Sequence, residues 1–398
     1  KNCCFMLTIF MVSNLFAQVK IDNDGMIKID DQRTFIIGSY HLPKSEAPYA
    51  ELANAGFNLV RSAATKEALD AAHEHGLKVW YGIGAVDLDK ERESREKLTQ
   101  SVEAFKSHPA LLARETVDEP AWTWNEAGAR VAPKPIIDAY NLAKSIDPNH
   151  ILYLNHAPVN LVSTMQKYNA GTDIVACDIY PVIPHGIRPM FALFPDGIQG
   201  DLLNTSISQV GEYADKMRRV AGPQKPMFMV LQGFSWEMLR KEEERDSSKI
   251  LYPTWDQSRF MAYDAVIHGA NGILYWGTSY TPQPSQFWSD LKRVTAELSS
   301  LRHVLAAKQF PIELEKVYHE MGHSIDAGVE VLVKKVDGEI FVFAANADRN
   351  PVKVTLAGLP AALSLDVFNE DRTIAIKAGS FTDTFEPFAV HVYRMATK

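Results

Sequence analysis

Short apolar runs alternate with longer segments of helical periodicity along most of the chain. Eight such runs predict buried strands at 35–38, 58–61, 77–81, 111–117, 151–154, 174–177, 227–231 and 272–275. Helix-period segments include 48–56, 66–76, 90–107 and, after the last run, 287–305. Buried parallel strands are typically continuous apolar runs rather than alternating ones. The repeated order of strand and helix therefore predicts an α/β fold, a closed (β/α)8 TIM barrel.

The main alternative for this order of elements is an open, doubly wound sheet. A sheet of that kind is expected to carry a glycine-rich phosphate turn after its first strand. The first apolar run leads instead into the sequence Gly-Ser-Tyr-His at 38–41, which lacks that spacing of glycines. The barrel is therefore favoured. Neither phosphate-binding turns nor redox motifs occur, so no cofactor is predicted.

The segments on either side of the predicted barrel, which spans 35–310, have strand patterns of their own. Apolar positions alternate over 19–34 around Asp24-Gly25, which predicts a β-hairpin that caps the bottom of the barrel. Short alternating runs separated by turn residues occupy 311–398. This pattern predicts a C-terminal antiparallel β-sandwich-like domain packed directly on the barrel.

The first residues are typical of a secretory signal peptide at 1–18. Lys1 precedes an apolar run at 3–16, and a small residue stands before Gln18. A run this short is not expected to span a bilayer. The signal predicts a secreted, periplasmic or cell-surface protein, and a buried N-terminal strand or helix is the alternative. Of the three cysteines only Cys177 lies beyond this segment, so the mature chain has no internal disulfide and depends on its core.

Composition and charge narrow the class of partner. The 398 residues are 46% hydrophobic and 23% charged, which indicates a globular protein. The formal net charge is −8 and the sequence contains no basic stripe, so neither nucleic acid nor an anionic membrane surface is predicted as a partner. Oligomeric state is not predicted by any pattern in the sequence.

The predicted strand ends carry the candidate chemistry. Active sites of TIM barrels lie at the C-terminal ends of the strands. The residues found there are polar or aromatic, which suits the hydroxyl groups and apolar faces of sugars. In chain order they are Tyr40, His41, Arg61, Tyr81, Asp118, Glu119, Asn155, His156, Asp178, Tyr180, Gln232 and Trp276. Further aromatic residues follow in the adjoining loops, namely Trp122, Trp124, Trp236, Trp255 and Tyr280. A carbohydrate substrate is therefore the predicted partner.

Glu119 is the most specific of these candidates. A carboxyl group at a strand end can donate and accept a proton beside a leaving oxygen. Pro120 follows it and ends the strand. The alternative for Asp118 or Glu119 is a helix cap before the segment beyond Trp122. Asp178 is the second candidate carboxylate.

The fourth strand resembles one protein superfamily. Ser-His-Pro-Ala-Leu-Leu at 107–112, leading into Asp118-Glu119-Pro120, is similar to strand four of the glycoside hydrolases called clan A. Arg61, Tyr180 and Trp276 after strands two, six and eight extend the resemblance over the barrel. It implies a (β/α)8 fold, hydrolysis of O-glycosidic bonds in a poly- or oligosaccharide, and Glu119 as the general acid/base.

Two positions depart from that superfamily. Asp118 stands where an Asn is usual, and Gln232 stands at the end of strand seven where the nucleophilic Glu is expected. An amide cannot form a glycosyl ester. Asp178 is therefore the expected second carboxylate, with Glu237 as the next choice. If Glu119 is the acid and Asp178 activates water, inversion is expected with a carboxyl separation of about 6.5–9.5 Å, whereas about 5 Å favours retention.

Two other functions remain open. The first is a non-catalytic carbohydrate-binding protein on a degenerate glycosidase barrel, which Gln232 suggests. The second is a metal-dependent hydrolase, because His41, His156 and His185 follow strands and Asp178 lies among them. No HExxH spacing or comparable ligand pattern supports that second function, so no metal site is predicted.

Overall fold

A small antiparallel sheet precedes the barrel. A computed structural model describes residues 19–122, 128–186, 204–319, 325 and 327–396, so the predicted signal peptide lies outside the described residues. Strands β1 (Val19–Ile21), β2 (Ile27–Ile29) and β3 (Gln32–Thr34) pair in that order, one strand more than a hairpin. Val19 and Ile27 join the apolar cluster that fills the barrel interior. This sheet therefore closes one end of the barrel.

The next eight strands form a closed parallel barrel. They are β4 (Ile36–Ser39), β5 (Leu59–Arg61), β6 (Lys78–Gly82), β7 (Leu111–Glu115), β8 (Ile151–His156), β9 (Ile174–Ile179), β10 (Met227–Gln232) and β11 (Gly272–Trp276). Each strand pairs with the next in the chain, and β11 pairs with β4 to close the barrel. The predicted (β/α)8 barrel is confirmed, and each strand lies within two residues of its predicted bounds.

Helices cover the outside of the barrel. They are α1 (Pro48–Asn54), α2 (Lys66–Glu74), α3 (Glu91–Phe105), α4 (Pro133–Ile146), α5 (Val162–Gln166), α6 (Gln209–Ala221), α7 (Trp255–Ile267), α8 (Gln286–Ser300) and α9 (Arg302–Ala306). Leu291, Val294 and Leu298 of α8 recur at helical spacing and are buried, as expected for a helix with one face on the core. The final helix predicted at 287–305 is divided at Leu301. None of the helices in the described ranges is long and apolar enough to cross a membrane.

The C-terminal part of the chain is an antiparallel sandwich, as predicted. Its strands are β12 (Glu315–Tyr318), β13 (Val329–Val336), β14 (Glu339–Asn346), β15 (Val352–Ala357), β16 (Ser364–Val367), β17 (Arg372–Ala375), β18 (Ser380–Phe385) and β19 (Val390–Ala396). A sheet in the order β12-β15-β18 faces one in the order β13-β14-β19-β16-β17. Val342, Val354 and Phe381 from the two sheets share one apolar core.

The sandwich packs on barrel helices through a continuous apolar interface. Phe343 of β14 stacks on Tyr263 of α7 with ring centroids 6.1 Å apart, and both belong to the largest apolar cluster. Arg259 of α7 donates to the backbone oxygen of Val390 at 2.7 Å and pairs with Glu297. A groove of about 930 Å³ lies beside this contact, between α7, α8 and the sandwich.

We expect Phe343→Ala to destabilise the protein by about 3–5 kcal/mol, because it removes a fully buried ring from the interface between barrel and sandwich. Urea unfolding followed by circular dichroism and tryptophan fluorescence measures the change. Leu363→Ala is the matched control, since Leu363 is 81% exposed and its truncation is expected to change stability by less than about 0.5 kcal/mol. A loss below about 1 kcal/mol for Phe343→Ala would contradict the packing described.

Candidate active site

Four carboxylates gather at the C-terminal ends of neighbouring barrel strands. Glu115 is the last residue of β7, and Asp118 and Glu119 lie in the loop that follows. Asp178 is the fifth residue of β9, two strands further along the barrel. Glu115 is a site residue that was not among the sequence-based candidates, because the predicted strand extended to Val117 and placed the strand end beyond it.

Asn155 of β8, the strand between these two, binds two of the four carboxylates and the backbone of Glu119. Its side-chain nitrogen donates to Asp118 Oδ1 and to Asp178 Oδ1, both at 3.0 Å. Its backbone oxygen accepts the N–H of Glu119 at 3.0 Å. Asn155 is buried, and its Oδ1 accepts no hydrogen bond from the described residues. One residue therefore fixes the relative positions of Asp118, Glu119 and Asp178.

The backbone at Glu119 is in the left-handed region. Its φ of 46° is uncommon for a residue with a Cβ and costs on the order of 1 kcal/mol. Arg130 supports the loop on its far side by donating to the Asp118 oxygen at 3.0 Å, and its guanidinium lies 3.8 Å from the Glu119 carboxylate. Left-handed backbone thus occurs at the residue of this loop that the sequence singles out.

Glu119 and Asp178 share a protonation equilibrium. Burial, and then the charge of Asp118, raise the pKa of Glu119 to about 7, against the opposing effects of Arg130 and of a hydrogen bond with Asp178. Burial and the charges of Glu119 and Asp118 raise the pKa of Asp178 well above its ordinary range. Because the charge of one carboxylate raises the pKa of the other, ionisation of Glu119 disfavours ionisation of Asp178.

The charge of Glu119 contributes to the raised pKa of Asp178, so the two carboxyl groups act on one another. The separations of about 6.5–9.5 Å for inversion and about 5 Å for retention stay predictions.

A second charged pair and a tyrosine pair lie nearby. Arg61 donates to the buried Glu115 carboxylate at 3.0 Å, while nearly half of its own side chain remains exposed. The hydroxyl groups of Tyr40 and Tyr153 are 2.6 Å apart and buried within the barrel. Tyr40 thus belongs to the barrel interior beneath the site, and its partner Tyr153 was not among the predicted site residues.

Aromatic side chains extend from strands six and eight. Tyr180 stacks on Trp276 with centroids 5.6 Å apart, and Tyr280 lies 5.6 Å from Trp276. The Trp236 indole donates to the Tyr180 backbone oxygen at 3.2 Å. His41 packs edge-on against Trp276 at 5.9 Å. We call Tyr180, Trp276, Tyr280 and His41 the aromatic wall.

His41 is an uncharged member of this wall. Burial, and then the charge of Arg61, lower the pKa of His41 to about 4. The N–H of Gly277 points to its Nδ1 at 3.3 Å, so the ring proton is placed on Nε2. At neutral pH His41 therefore offers an uncharged N–H donor.

The structure corrects two predicted binding residues. Tyr81 donates to the Ser101 oxygen of α3 at 3.1 Å and accepts from Arg114, so its side chain lies in the helix layer. His156 is fully buried against Tyr168, and burial lowers its pKa to about 3. Successive residues of a strand point to opposite faces. Since the Asn155 side chain points towards the carboxylates, the side chain of the next residue, His156, points away from them.

Gln232 is also not available to a substrate. Its side chain is fully buried and accepts from the N–H of Val182 at 3.0 Å. Its amide nitrogen donates to the oxygens of Val182 and Phe234, both at 3.0 Å. The predicted binding role is replaced by a structural one, because both ends of the amide hold the backbone after strands six and seven.

Two of the remaining sequence candidates, Glu237 and Trp255, have contacts outside the carboxylate group. Glu237 is fully buried and accepts from the Asp246 N–H at 2.6 Å, within its own loop. Trp255 lines the groove between barrel and sandwich. Trp124 lies outside the described residues. Among the described residues, the one group of three side chains arranged to hold a metal does not include His41, His156 or His185.

Comparisons with solved structures identify the fold. An α-amylase from Geobacillus thermoleovorans aligns over 92% of this chain and 100% of its own, with a TM-score of 0.55 and 11% identity. A GH42 β-galactosidase from G. stearothermophilus aligns over 91% and 98%, with a TM-score of 0.56 and 8% identity. A GH30 endoxylanase from Clostridium papyrosolvens aligns over 96% and 99%, with a TM-score of 0.50 and 13% identity. No protein-family model matches the chain, and no curated protein is similar to it in sequence.

The fold is therefore a (β/α)8 barrel like those of these glycoside hydrolases, followed by a β-sandwich. It is consistent with a clan A-like barrel, with no family assigned. Identities of 8–13% support the fold alone.

We expect Glu119→Gln to stabilise the protein above pH 7. The folded-state pKa of about 7 exceeds the ordinary value of 4.5, so the stability from the protonated carboxyl is complete below pH 4.5 and lost as the pH rises through 7. At pH 8 the variant avoids this loss, which is on the order of 2 kcal/mol, and its thermal midpoint should exceed that of the wild type. The difference should shrink towards pH 4.5.

The matched control for this titration is Glu103→Gln. Glu103 lies on the surface of α3 with a nearly half-exposed side chain paired to Lys106, and such pairs contribute little. Its midpoint should follow the wild type at every pH. A Glu119→Gln variant that is less stable than the wild type at pH 8 would contradict a buried Glu119 carboxyl group with a raised pKa.

We expect Gln232→Glu to destabilise the protein by about 2–4 kcal/mol rather than restore a nucleophile. A carboxylate at this buried position would face two backbone oxygens that now accept hydrogen bonds from the Gln232 amide nitrogen. It could donate no hydrogen bond to them, and solvent would not compensate for the loss. Urea unfolding measures the change. Gln257→Glu is the control, because Gln257 forms the capping box of α7, where Glu is equally suitable. A neutral effect at 232 would contradict the structural role of Gln232.

Proposed function

We propose that the protein is a glycoside hydrolase that cleaves an O-glycosidic bond in a poly- or oligosaccharide, using Glu119 and Asp178. The observation that carries the proposal is that Asn155 binds both the Asp178 carboxylate and the backbone of Glu119 at the C-terminal ends of the barrel strands, where burial raises the pKa of both carboxyl groups. Perturbed carboxyl groups of this kind are characteristic of sites that donate and accept protons.

Glu119 is the group positioned to protonate the leaving oxygen. It retains some exposure towards the cleft, and in the proposed step Glu119 carries the proton while Asp178 is ionised. The Asp178 carboxylate bonds to the anomeric carbon as the protonated leaving group departs. Water hydrolyses the resulting ester and returns its proton to Glu119, which completes the cycle. Two successive displacements at the anomeric carbon retain its configuration.

The surrounding groups suit a sugar ring. Asp118 and the exposed part of Arg61 supply acceptors and donors for hydroxyl groups. The aromatic wall, next to Trp236, offers an apolar face for stacking. This combination of a few polar groups with aromatic rings is typical of carbohydrate sites.

The second candidate function is carbohydrate binding without turnover. Gln232 supports it, because the end of strand seven carries no carboxylate and its amide is already bonded to the backbone. In that case Asp178 and Glu119 would bind hydroxyl groups, and the aromatic wall would retain its role.

A hydrolysis panel of polysaccharides and oligosaccharides separates the two functions. We expect the wild type to release sugar from at least one glycan, and we expect Glu119→Gln and Asp178→Asn each to lower kcat at least about 100-fold. Proton NMR of the first product should show the anomer of the substrate. Binding of a glycan by calorimetry, with no cleavage by the wild type, would favour the second function.

Tyr81→Phe is the control for this panel. It removes a hydroxyl group from the helix layer and leaves the cleft unchanged, so kcat should stay within about twofold of the wild type. Hydrolysis of a confirmed substrate by Glu119→Gln at the wild-type rate would reject the proposed mechanism.

A further inference from the structure

A second cluster of titratable groups lies where barrel and sandwich meet. His268 follows the end of α7, with Asp264 one turn before it on the same helix. Glu330 of β13 and Asp215 of α6 complete the cluster. The cluster includes none of the cleft residues, so its chemistry is independent of the proposed glycosidase activity.

The geometry around His268 is that of a ligand set. One ring nitrogen, Nε2, lies 2.7 Å from Glu330 Oε2 and 3.7 Å from Asp264 Oδ1. The possible ligand atoms of these three residues all lie within 4.8 Å of one another. Imidazole and carboxylate groups are ordinary zinc ligands, with metal–ligand distances of about 2.0–2.2 Å. Small side-chain movements bring all three to one ion.

The other ring nitrogen already has the support that metal-binding histidines require. His268 Nδ1 is 3.0 Å from Asp215 Oδ1. A histidine that binds a metal through one nitrogen almost always donates the N–H of the other to a carboxylate or carbonyl. Asp264 is oriented in the same way, because its Oδ2 accepts the Gly211 N–H at 2.7 Å.

Two observations point to a missing cation. Asp264 is fully buried, and its Oδ1 accepts no hydrogen bond from the described residues. Within those residues the ion pairs of Asp215, Asp264 and Glu330 are all made with His268, so one imidazole faces three carboxylates. A buried carboxylate without a counter-charge is costly. A divalent cation supplies the positive charge that is lacking.

Gly211 keeps space open beside these atoms. A Cβ at this position would lie 2.6 Å from His268 Nε2 and 2.7 Å from Asp264 Oδ1, which no side chain tolerates. The glycine therefore lets the backbone of α6 approach both proposed ligand atoms closely, and a side chain at this position would displace them.

We propose that His268 Nε2, Asp264 Oδ1 and Glu330 Oε2 bind a divalent transition-metal ion, with Zn²⁺ as the probe, and that it joins the barrel to the sandwich. A water molecule completes the coordination. On binding, Nε2 exchanges any proton for the metal, and that proton is released to solvent. Asp215 is a positioning residue that orients the imidazole.

The test uses the whole chain without a histidine tag, stripped with EDTA and then dialysed against Zn²⁺. We expect about one bound equivalent by elemental analysis, and a rise of at least about 3 °C in the thermal midpoint at saturating Zn²⁺. Glu330→Gln and Asp264→Asn should each weaken Zn²⁺ binding more than about tenfold, and Asp215→Asn should weaken it about 10–100-fold. X-ray absorption should show only nitrogen and oxygen neighbours, including one imidazole.

Glu370→Gln is the matched control. Glu370 pairs with His391 at 2.6 Å on the sandwich, outside the cluster, so this variant should bind Zn²⁺ as the wild type does. Asp215 is largely exposed, so Asp215→Asn keeps the test decisive if Asp264→Asn does not fold. Less than about 0.2 equivalents bound, or equal binding by the wild type, Glu330→Gln and Asp215→Asn, would overturn the proposal and leave a cluster that holds only a proton.

Discussion

The candidate site depends on Asn155. Its side-chain nitrogen binds the carboxylates of Asp118 and Asp178, and its backbone oxygen binds the N–H of Glu119, so one central strand positions all three residues. Acidic groups in a partly buried cleft repel one another, and loops alone would let them separate. Because Asn155 binds all three residues in a buried position, burial first and then their mutual repulsion raise the pKa values of Glu119 and Asp178. The shifted protonation of the site is therefore a consequence of its architecture.

The barrel could be predicted because eight apolar runs, each buried on both faces, leave little choice of topology. Strands β12 and β17 of the sandwich could not be predicted in this way. Strand β17 has only partly buried and exposed positions, and β12 is largely exposed, so neither gives an apolar signal. These strands exist because neighbours pair with them, and a single sequence does not contain that information directly.

The sequence predicted which end of the barrel carries the candidate site. Two of the errors among the individual residues, Tyr81 and His156, have the same cause. Adjacent residues at a strand end cannot both face the barrel axis, yet such neighbours are among the predicted site residues. Asn155 faces inward and His156 outward, and Tyr81 is directed outward beside Arg114. Alternation along each strand would have separated these residues. It would not have identified the role of Gln232, since its partners Val182 and Phe234 lie in loops whose conformation the sequence does not specify.

The position of the carboxylates has a consequence for how a sugar would enter. In the superfamily that strand four resembles, the two catalytic carboxylates come from strands four and seven and reach the sugar from different sides of the barrel. Here Gln232, at the end of strand seven, is hydrogen-bonded to backbone groups. The acidic groups of the site all come from strands four and six and the loop after strand four. The aromatic wall from strands six, eight and one then borders the cleft beyond Asp178. In the proposed mechanism the proton donor Glu119 and the nucleophile Asp178 would therefore come from strands four and six, rather than from strands four and seven.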